Sequence, residues 1–312
     1  MTFFVTLGLV LAAAYELVSL SSSVLVAAAW RLGLERTHPS ANELLAVRLL
    51  PAGIGALLTL TVVLPAFMVS EPAHALEDGG PLLVGLALLA LLTVGVGIRR
   101  AVRACVATST FLRHCGPVHH RPVVTGEHVD IVDVPEPIVA VVGGWRPTIV
   151  ASANVLCACS DEEFCQVVAH EAAHVSARDN FKLFLLVLSP DALAWLPAGA
   201  ALAARWRAAA EREADERAAG SDRGKRLALA SALIKVARLS ISASSPLPAL
   251  SMPIAVDDVE GRVRGLLAPS PPARRSMRLW TLAAASLMVP VIGLPLYGVV
   301  HQLIEALVAF GR

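Results

Sequence analysis

The chain has 312 residues, of which 56% are hydrophobic and only 16% charged, with a mean hydropathy of +0.66. Ordinary soluble domains run near a quarter charged and about half apolar, so this composition excludes disorder and a wholly water-soluble enzyme. Charge is nearly balanced, 26 Lys plus Arg against 25 Asp plus Glu, so no global field recruits nucleic acid and no direct nucleic-acid binding is expected.

The apolar excess is concentrated. Residues 3 to 30 form a first apolar stretch, interrupted by Tyr15 and Glu16. Its start, MTFF, carries no positive segment, so it reads as a membrane helix rather than a signal peptide. A carboxylate midway along such a helix is expensive and points to function, unless the helix begins near residue 17 and leaves Glu16 at an interface. Arg48 can pair with Glu16 only if their depths match. Residues 49 to 70, 81 to 98 and 279 to 298 are uncharged over 22, 18 and 20 positions, each enough to cross ~30 Å of hydrocarbon as a helix. Arg31, Arg36 and Arg48 follow the first span, while Glu71, Glu77 and Asp78 follow the second. Arg99, Arg100 and Arg103 follow the third, and Arg274, Arg275 and Arg278 precede the last. Positive charge thus alternates sides. This predicts both termini outside, residues 1–98 as three transmembrane helices, 99–278 as a cytoplasmic domain and 279–312 as the fourth helix. A reducing cytoplasm keeps Cys105, Cys115, Cys157, Cys159 and Cys165 as thiols, and their spacing fits no metal or redox motif.

The inserted domain reads as α+β. Strand-like segments cover 123 to 134, 136 to 144 and 145 to 152. Residues 160 to 178 switch to helical period, with Ser160 and Glu163 as a capping box and Phe164, Val167, Val168, Ala172 and Val175 as the buried stripe. An apolar run over 181 to 204 is broken by Pro190-Asp191 and Pro197 and is too short to span, so 183–204 reads as a buried or membrane-resting hairpin. Helices are expected at about 198 to 219, 226 to 240 and 259 to 267, with 241 to 257 as loop.

The segment VVAHEAAHVSARDN places His170 and His174 one turn apart on one helical face, a zinc pair lacking its third ligand. Glu171 between them is placed to take a proton from a water on the metal, the HExxH logic of metallopeptidases. In EREADERAA, Glu211 and Asp215 are also one turn apart. Glu211 is the expected third ligand, and Asp215 orients one imidazole through its distal N–H. Asp179 is a candidate brace for the end of the zinc helix. Glu213 and Glu216 read as solvated charges. His114, His119, His120 and His128 are candidate oxyanion donors, though each reads more simply as an ordinary residue.

These segments resemble the M56 family of membrane-embedded metallopeptidases, the group that includes antibiotic-sensing transducers. The resemblance rests on GGWRPTIVAS (143 to 152), DEEFCQVVAHEAAHVSARDN (161 to 180), EREADERAA (211 to 219) and GRVRGLL (261 to 267). It implies an α-helical membrane protein with about four transmembrane helices and an inserted zincin-like domain. The family's zinc helix maps to His170, Glu171 and His174, its acidic ligand and following Asp to Glu211 and Asp215, and its strand entry to Gly144, Arg146 and Pro147. Trp145, Arg146 and Pro147 are a candidate substrate edge, on the analogy that the strand around 139 to 151 binds an extended peptide by strand addition. The chain ends at Arg312 with no room for a penicillin-binding sensor domain, so β-lactam sensing is not carried over.

The expected function is a zinc endopeptidase of the bacterial cytoplasmic membrane, with one Zn2+ per chain and a cytoplasmic protein substrate such as a winged-helix repressor. Signal input would come from the spans, a sensor partner or a homodimer. The alternatives are a quality-control protease like the M48 group, which shares HExxH and ExxxD, and a non-proteolytic membrane sensor. The apolar hairpin between the two halves of the zinc site predicts an active site close to the membrane surface.

Overall fold

The computed structural model of the chain describes residues 3–32, 39–70, 80–115, 119–122, 128–240, 251–253, 258–268 and 302. The expected span at 279 to 298 lies outside the described residues. The chain divides into two compact units, one built from Met1–Arg99 with Leu188–Ala204 and the other from Arg100–Val187 with Arg205–Arg274.

The first unit is helical. Helix α1 covers Phe3–Leu32. Helix α2 covers Ala41–Leu58 and opens on a Ser40/Glu43 capping box. It continues through one π turn, Thr59–Val63, into α3, Leu64–Ser70. The Leu64 N–H bonds the Thr59 carbonyl, one residue further back than in an α-helix, immediately before Pro65, which has no N–H to give. Helix α4, Pro81–His114, begins here. The stretches Phe3–Leu32, Ala41–Val69 and Pro81–His114 are three helices long and apolar enough to cross a membrane.

Their interior combines polar side chains with an apolar cluster of Val10, Ala13, Val63, Phe67 and Leu83. Thr6, Glu16, Ser19, Ser23, Thr59 and Thr93 are buried, while Leu25, Leu60, Leu88, Leu91 and Leu92 are exposed. Small and hydroxyl side chains let helices approach closely in lipid, where apolar side chains gain nothing by hiding. Glu16 lies well inside α1, not at its start, and accepts a hydrogen bond from the Thr93 hydroxyl at 3.1 Å. Arg48 is buried and pairs not with Glu16 but with Asp191, at 3.0 and 2.9 Å to its two oxygens, and also donates to the Ser189 hydroxyl. The Tyr15 hydroxyl donates to the Pro190 carbonyl at 2.6 Å. The Pro190-Asp191 break is therefore an anchor that secures residues 188–204 within this unit.

The second unit holds a five-stranded sheet. Its strands are β1 His119–Pro122, β2 His128–Val132, β3 Val139–Val142, β4 Thr148–Ser152 and β5 Ser251–Pro253, in the order β1-β2-β4-β3-β5. The β2–β4 pair is parallel and the other neighbours are antiparallel. The period of two sends Val139, Val141, Ile149 and Ala151 to one face and Ile138, Ala140, Val142 and Val150 to the other. The first face packs on Phe164, Val167 and Val168 of α6 (Asp161–Ala177) and on Leu229, Leu233 and Val236 of α9 (Arg223–Ser240). Between α4 and α6 the chain also forms the short α5, Ala153–Ala158. After α6 come α7, Asp179–Leu188, a short 3-10 turn at Ala192–Trp195 and α8, Pro197–Ala219. The last described element is α10, Val259–Leu267.

The N-terminus of α6 is secured locally and at a distance. Ser160 and Glu163 exchange hydrogen bonds as a capping box. Glu163 also accepts from the Ser231 hydroxyl and the Lys235 ammonium of α9, both at 2.6 Å. Burial opposes ionisation of Glu163, but Lys235, Ser231 and the Ser160 N–H outweigh it and hold its pKa down to about 2 against the ordinary 4.5. A depressed carboxylate pKa stabilises the folded state above the unfolded-state value and loses that contribution as pH falls. Glu163→Gln should therefore flatten the loss of stability between about pH 4.5 and 2, read from unfolding midpoints across that range. In the first unit, Arg48→Met leaves Asp191 buried and unpaired and should cost roughly 3–5 kcal/mol. Adding Asp191→Asn should recover part of that loss in a detergent unfolding cycle.

Candidate metal centre

Helix α6 carries His170, Glu171 and His174, all buried. Helical periodicity brings the two imidazoles to one face, and their Nε2 atoms lie 3.2 Å apart. Helix α8 brings Glu211 to the same point, with Oε2 at 3.4 Å from His170 Nε2 and Oε1 at 3.6 Å from His174 Nε2. His170, His174 and Glu211 form a buried group able to hold a metal ion. A tetrahedral ion with ligands at ~2.0–2.1 Å separates neighbouring ligand atoms by roughly 3.3 Å, so the observed edges fit.

The outer nitrogens explain why the inner ones face each other. His170 Nδ1 lies 2.9 Å from Asp215 Oδ1, and His174 Nδ1 lies 2.8 Å from Asp179 Oδ2. An ionised carboxylate only accepts, so each Nδ1 is the donor and each Nε2 is turned inward. Asp215 thus stands behind one imidazole and Asp179 behind the other. Asp179 reaches that place because Arg178, capping α6, adopts a left-handed conformation with φ 56°. That conformation is costly for a non-glycine residue and reverses the chain so that α7 starts beside His174. Lys182 completes the pair, 3.0 Å from Asp179 Oδ1.

Arg262 of α10 is the residue for which the sequence suggested no role. It lies in the GRVRGLL segment, whose alternation of Arg and apolar residues resembles a solvated helix face, yet it is only 4% exposed. Its guanidinium donates to both oxygens of Asp215, at 2.9 and 2.6 Å, and its Nη1 is 2.8 Å from Glu211 Oε2. Four buried carboxylates, Glu171, Asp179, Glu211 and Asp215, face the two cations Arg262 and Lys182.

The same field shapes the pKa values. Burial pushes His170 down, but the Asp215 and Glu211 carboxylates outweigh it and raise the ring to about 9. Any cation that replaces that proton meets the same field. Burial opposes ionisation of Asp215 as well, yet His170 and Arg262 lower its pKa to about 2. Glu211 and Asp179 are lowered by their histidine and cationic partners against the same burial penalty. Glu171 moves the other way: its burial dominates and raises it. Its Oε2 accepts the Val141 N–H of β3 at 2.9 Å, while Oε1 has no hydrogen-bond partner among the described residues.

Trp145, Arg146 and Pro147 lie in the connection between β3 and β4 and are exposed. Trp145 and Pro147, with Val141, Gly144, His174, Val175, Arg178, Asn180 and Phe181, line a cavity of about 510 Å³; Arg146 does not. The expected open strand edge is not there. β4 and β5 flank β3, and β2 and β3 flank β4, so both are interior strands and a peptide cannot add to either. His114 and His128 are exposed and outside the metal group. Glu213 pairs with Arg217 on the outer side of α8, and Glu216 is exposed. All five cysteines are free.

No family model, curated protein or solved structure matches the chain.

If Asp215 and Asp179 set the imidazole tautomers, Asp215→Asn and Asp179→Asn should each weaken divalent-metal binding by about 10- to 100-fold. Competition against a metal indicator would measure this, and Glu211→Ala should lower stoichiometry itself.

Proposed function

We propose that the chain is a membrane zinc endopeptidase of the M56 type. In this reading it hydrolyses a cytoplasmic protein substrate at the bacterial cytoplasmic membrane. The observation that carries the reading is the buried triangle of His170, His174 and Glu211, with Glu171 adjacent and one of its oxygens unpartnered. Two imidazoles and one carboxylate are a three-ligand set of the hydrolytic zinc type, which keeps a fourth position open. Bound there, zinc would supply Lewis acidity toward the scissile carbonyl and the attacking water.

The chain's own groups would do the rest. Asp215 and Asp179 accept from the Nδ1 atoms and so aim both Nε2 atoms at one point. The Val141 N–H holds Glu171 Oε2, so the carboxylate is oriented and Oε1 is left to take a proton from the attacking water and pass it to the leaving amine. Burial raises its pKa, so it holds a proton more readily than an exposed carboxylate does. Arg262 keeps Glu211 and Asp215 ionised. The three apolar helices supply the membrane attachment, and residues 279 to 298 would add a fourth span. A transcriptional repressor is the substrate implied by the family resemblance, with a homodimer or a sensor partner as input.

Glu171→Ala should lower peptide hydrolysis by about 10²- to 10⁴-fold while metal content stays near that of the unaltered protein. Proteins that co-purify uncut with this variant would identify the substrate. Full biological activity of the variant would rule out the protease reading in favour of a non-proteolytic sensor.

A further inference from the structure

The helical unit buries a carboxyl for which the hydrolytic reading has no use. We propose that Glu16 is a proton-binding site inside the bundle, and that its proton is exchanged from the side of Ser19 and Ser23 rather than from the side of Val10 and Ala13. The proposal does not depend on the endopeptidase reading.

The first observation is Glu16 itself. It lies near the middle of α1 and is 1% exposed. A charge at such a depth in a membrane-crossing helix is expensive unless a cation or several donors meet it. No cation does so among the described residues. Arg48, from α2, is committed to Asp191 and Ser189, and α4 meets Glu16 with the Thr93 hydroxyl. The other titratable neighbours are Asp191, which repels a charge on Glu16, and Tyr15, whose hydroxyl is given to the Pro190 carbonyl. Glu16 Oε1 has no hydrogen-bond partner among the described residues.

The second is a count of protons. Thr93 Oγ1 lies 2.9 Å from the Ala90 carbonyl and 3.1 Å from Glu16 Oε2. A hydroxyl has one proton to give and two lone pairs to accept with. With Glu16 ionised, that proton serves one of the two oxygens, and the other contact sets two acceptors against each other. With Glu16 protonated, Thr93 donates to Ala90 and accepts from Glu16, so each contact carries a proton. Taking up a proton therefore reverses the Glu16–Thr93 hydrogen bond and completes the polar link from α1 to α4.

The third is an asymmetry along α1. Ser19 and Ser23 follow Glu16 at helical spacing on the same buried face, and both hydroxyls lack a partner among the described residues. They lie about 4.5 and 10.5 Å further along the axis, in steps that single waters bridge, and each hydroxyl both accepts and donates. On the other side of Glu16 the same face is apolar, because Val10 and Ala13 pack against Val63, Phe67 and Leu83. A proton thus finds acceptors in one direction and a hydrocarbon cluster in the other.

The test uses the full chain in lipid nanodiscs. Infrared difference spectra between about pH 5 and 9 should contain a protonated-carboxyl stretch that shifts in D2O and is missing from Glu16→Gln. That variant keeps the side-chain shape and a hydrogen-bonding end at Thr93, so its metal content should match the unaltered protein. If it fails to fold, Glu16→Asp in protein carrying carbon-13 glutamate serves instead, because the band then loses its isotope shift. After a rapid change from H2O to D2O, exchange of this band should slow about tenfold when Ser19→Ala and Ser23→Ala are combined. It should stay within about twofold in Thr6→Val, on the far side of the apolar cluster. Absence of a Glu16 band throughout, or a band that pH leaves unchanged, overturns the proton site. A pH-dependent band whose exchange is as fast in the serine variant supports the site and overturns the direction of exchange.

Discussion

A cluster of buried carboxylates organises the second unit. Glu171, Asp179, Glu211 and Asp215 come from α6, α7 and α8, and all are nearly inaccessible to water. Carboxylates in such surroundings are tolerated only when hydrogen-bonded and paired. The requirement is met by elements far apart in sequence. The Val141 amide on β3 serves Glu171, Lys182 on α7 serves Asp179, and Arg262 on α10 serves both residues of α8. Each helix therefore has to dock correctly for the others to be stable.

The position of α10 shows how far this constraint reaches. Arg226 of α9 donates to the carbonyls of Gly265, Leu266 and Ala268, satisfying groups that the end of α10 would otherwise leave unpaired. It also reaches the Gly220 carbonyl at the end of α8. One arginine thus secures the ends of the helices that bear Arg262 and Glu211, and the second arginine closes the electrostatic circuit. On the opposite side of the cluster, the sheet contributes through its backbone alone. The Val141 N–H and C=O meet Glu171 and Asn180, so β3 is both the wall of the core and the support of the site.

The first unit meets the same physical problem in a different solvent. Thr6, Glu16, Ser19, Ser23, Thr59 and Thr93 are turned inward while Leu25, Leu60, Leu88, Leu91 and Leu92 face outward, an arrangement suited to lipid. A buried ion pair joins α2 to the chain break at 189–191, where Asp191 also caps the short 3-10 turn through the Ala194 N–H. A break that looked like an interruption of an apolar run is the point that attaches the run. Arg48 remains a positive charge beside a span, but its partner is a buried aspartate rather than the water-facing side of a loop.

Part of the structure is local pattern. The capping box at Ser160 and Glu163, the stripe through Phe164, Val167 and Val168, the histidine pair one turn apart and the ExxxD turn all depend on spacings within a few residues. Helical periodicity alone determines these spacings. The apolar lengths that make three membrane-crossing helices are equally local. Tertiary structure decided what spacing cannot carry. It assigned Asp215 to His170 and Asp179 to His174, brought Arg262 onto both Glu211 and Asp215, and paired Arg48 with Asp191 instead of Glu16. It also paired β3 with β5 over 140–142. These are contacts between residues up to 143 positions apart, and their energies come from burial and charge neutralisation. Both terms exist only once the chain has closed on itself, and no local signal in the sequence represents them.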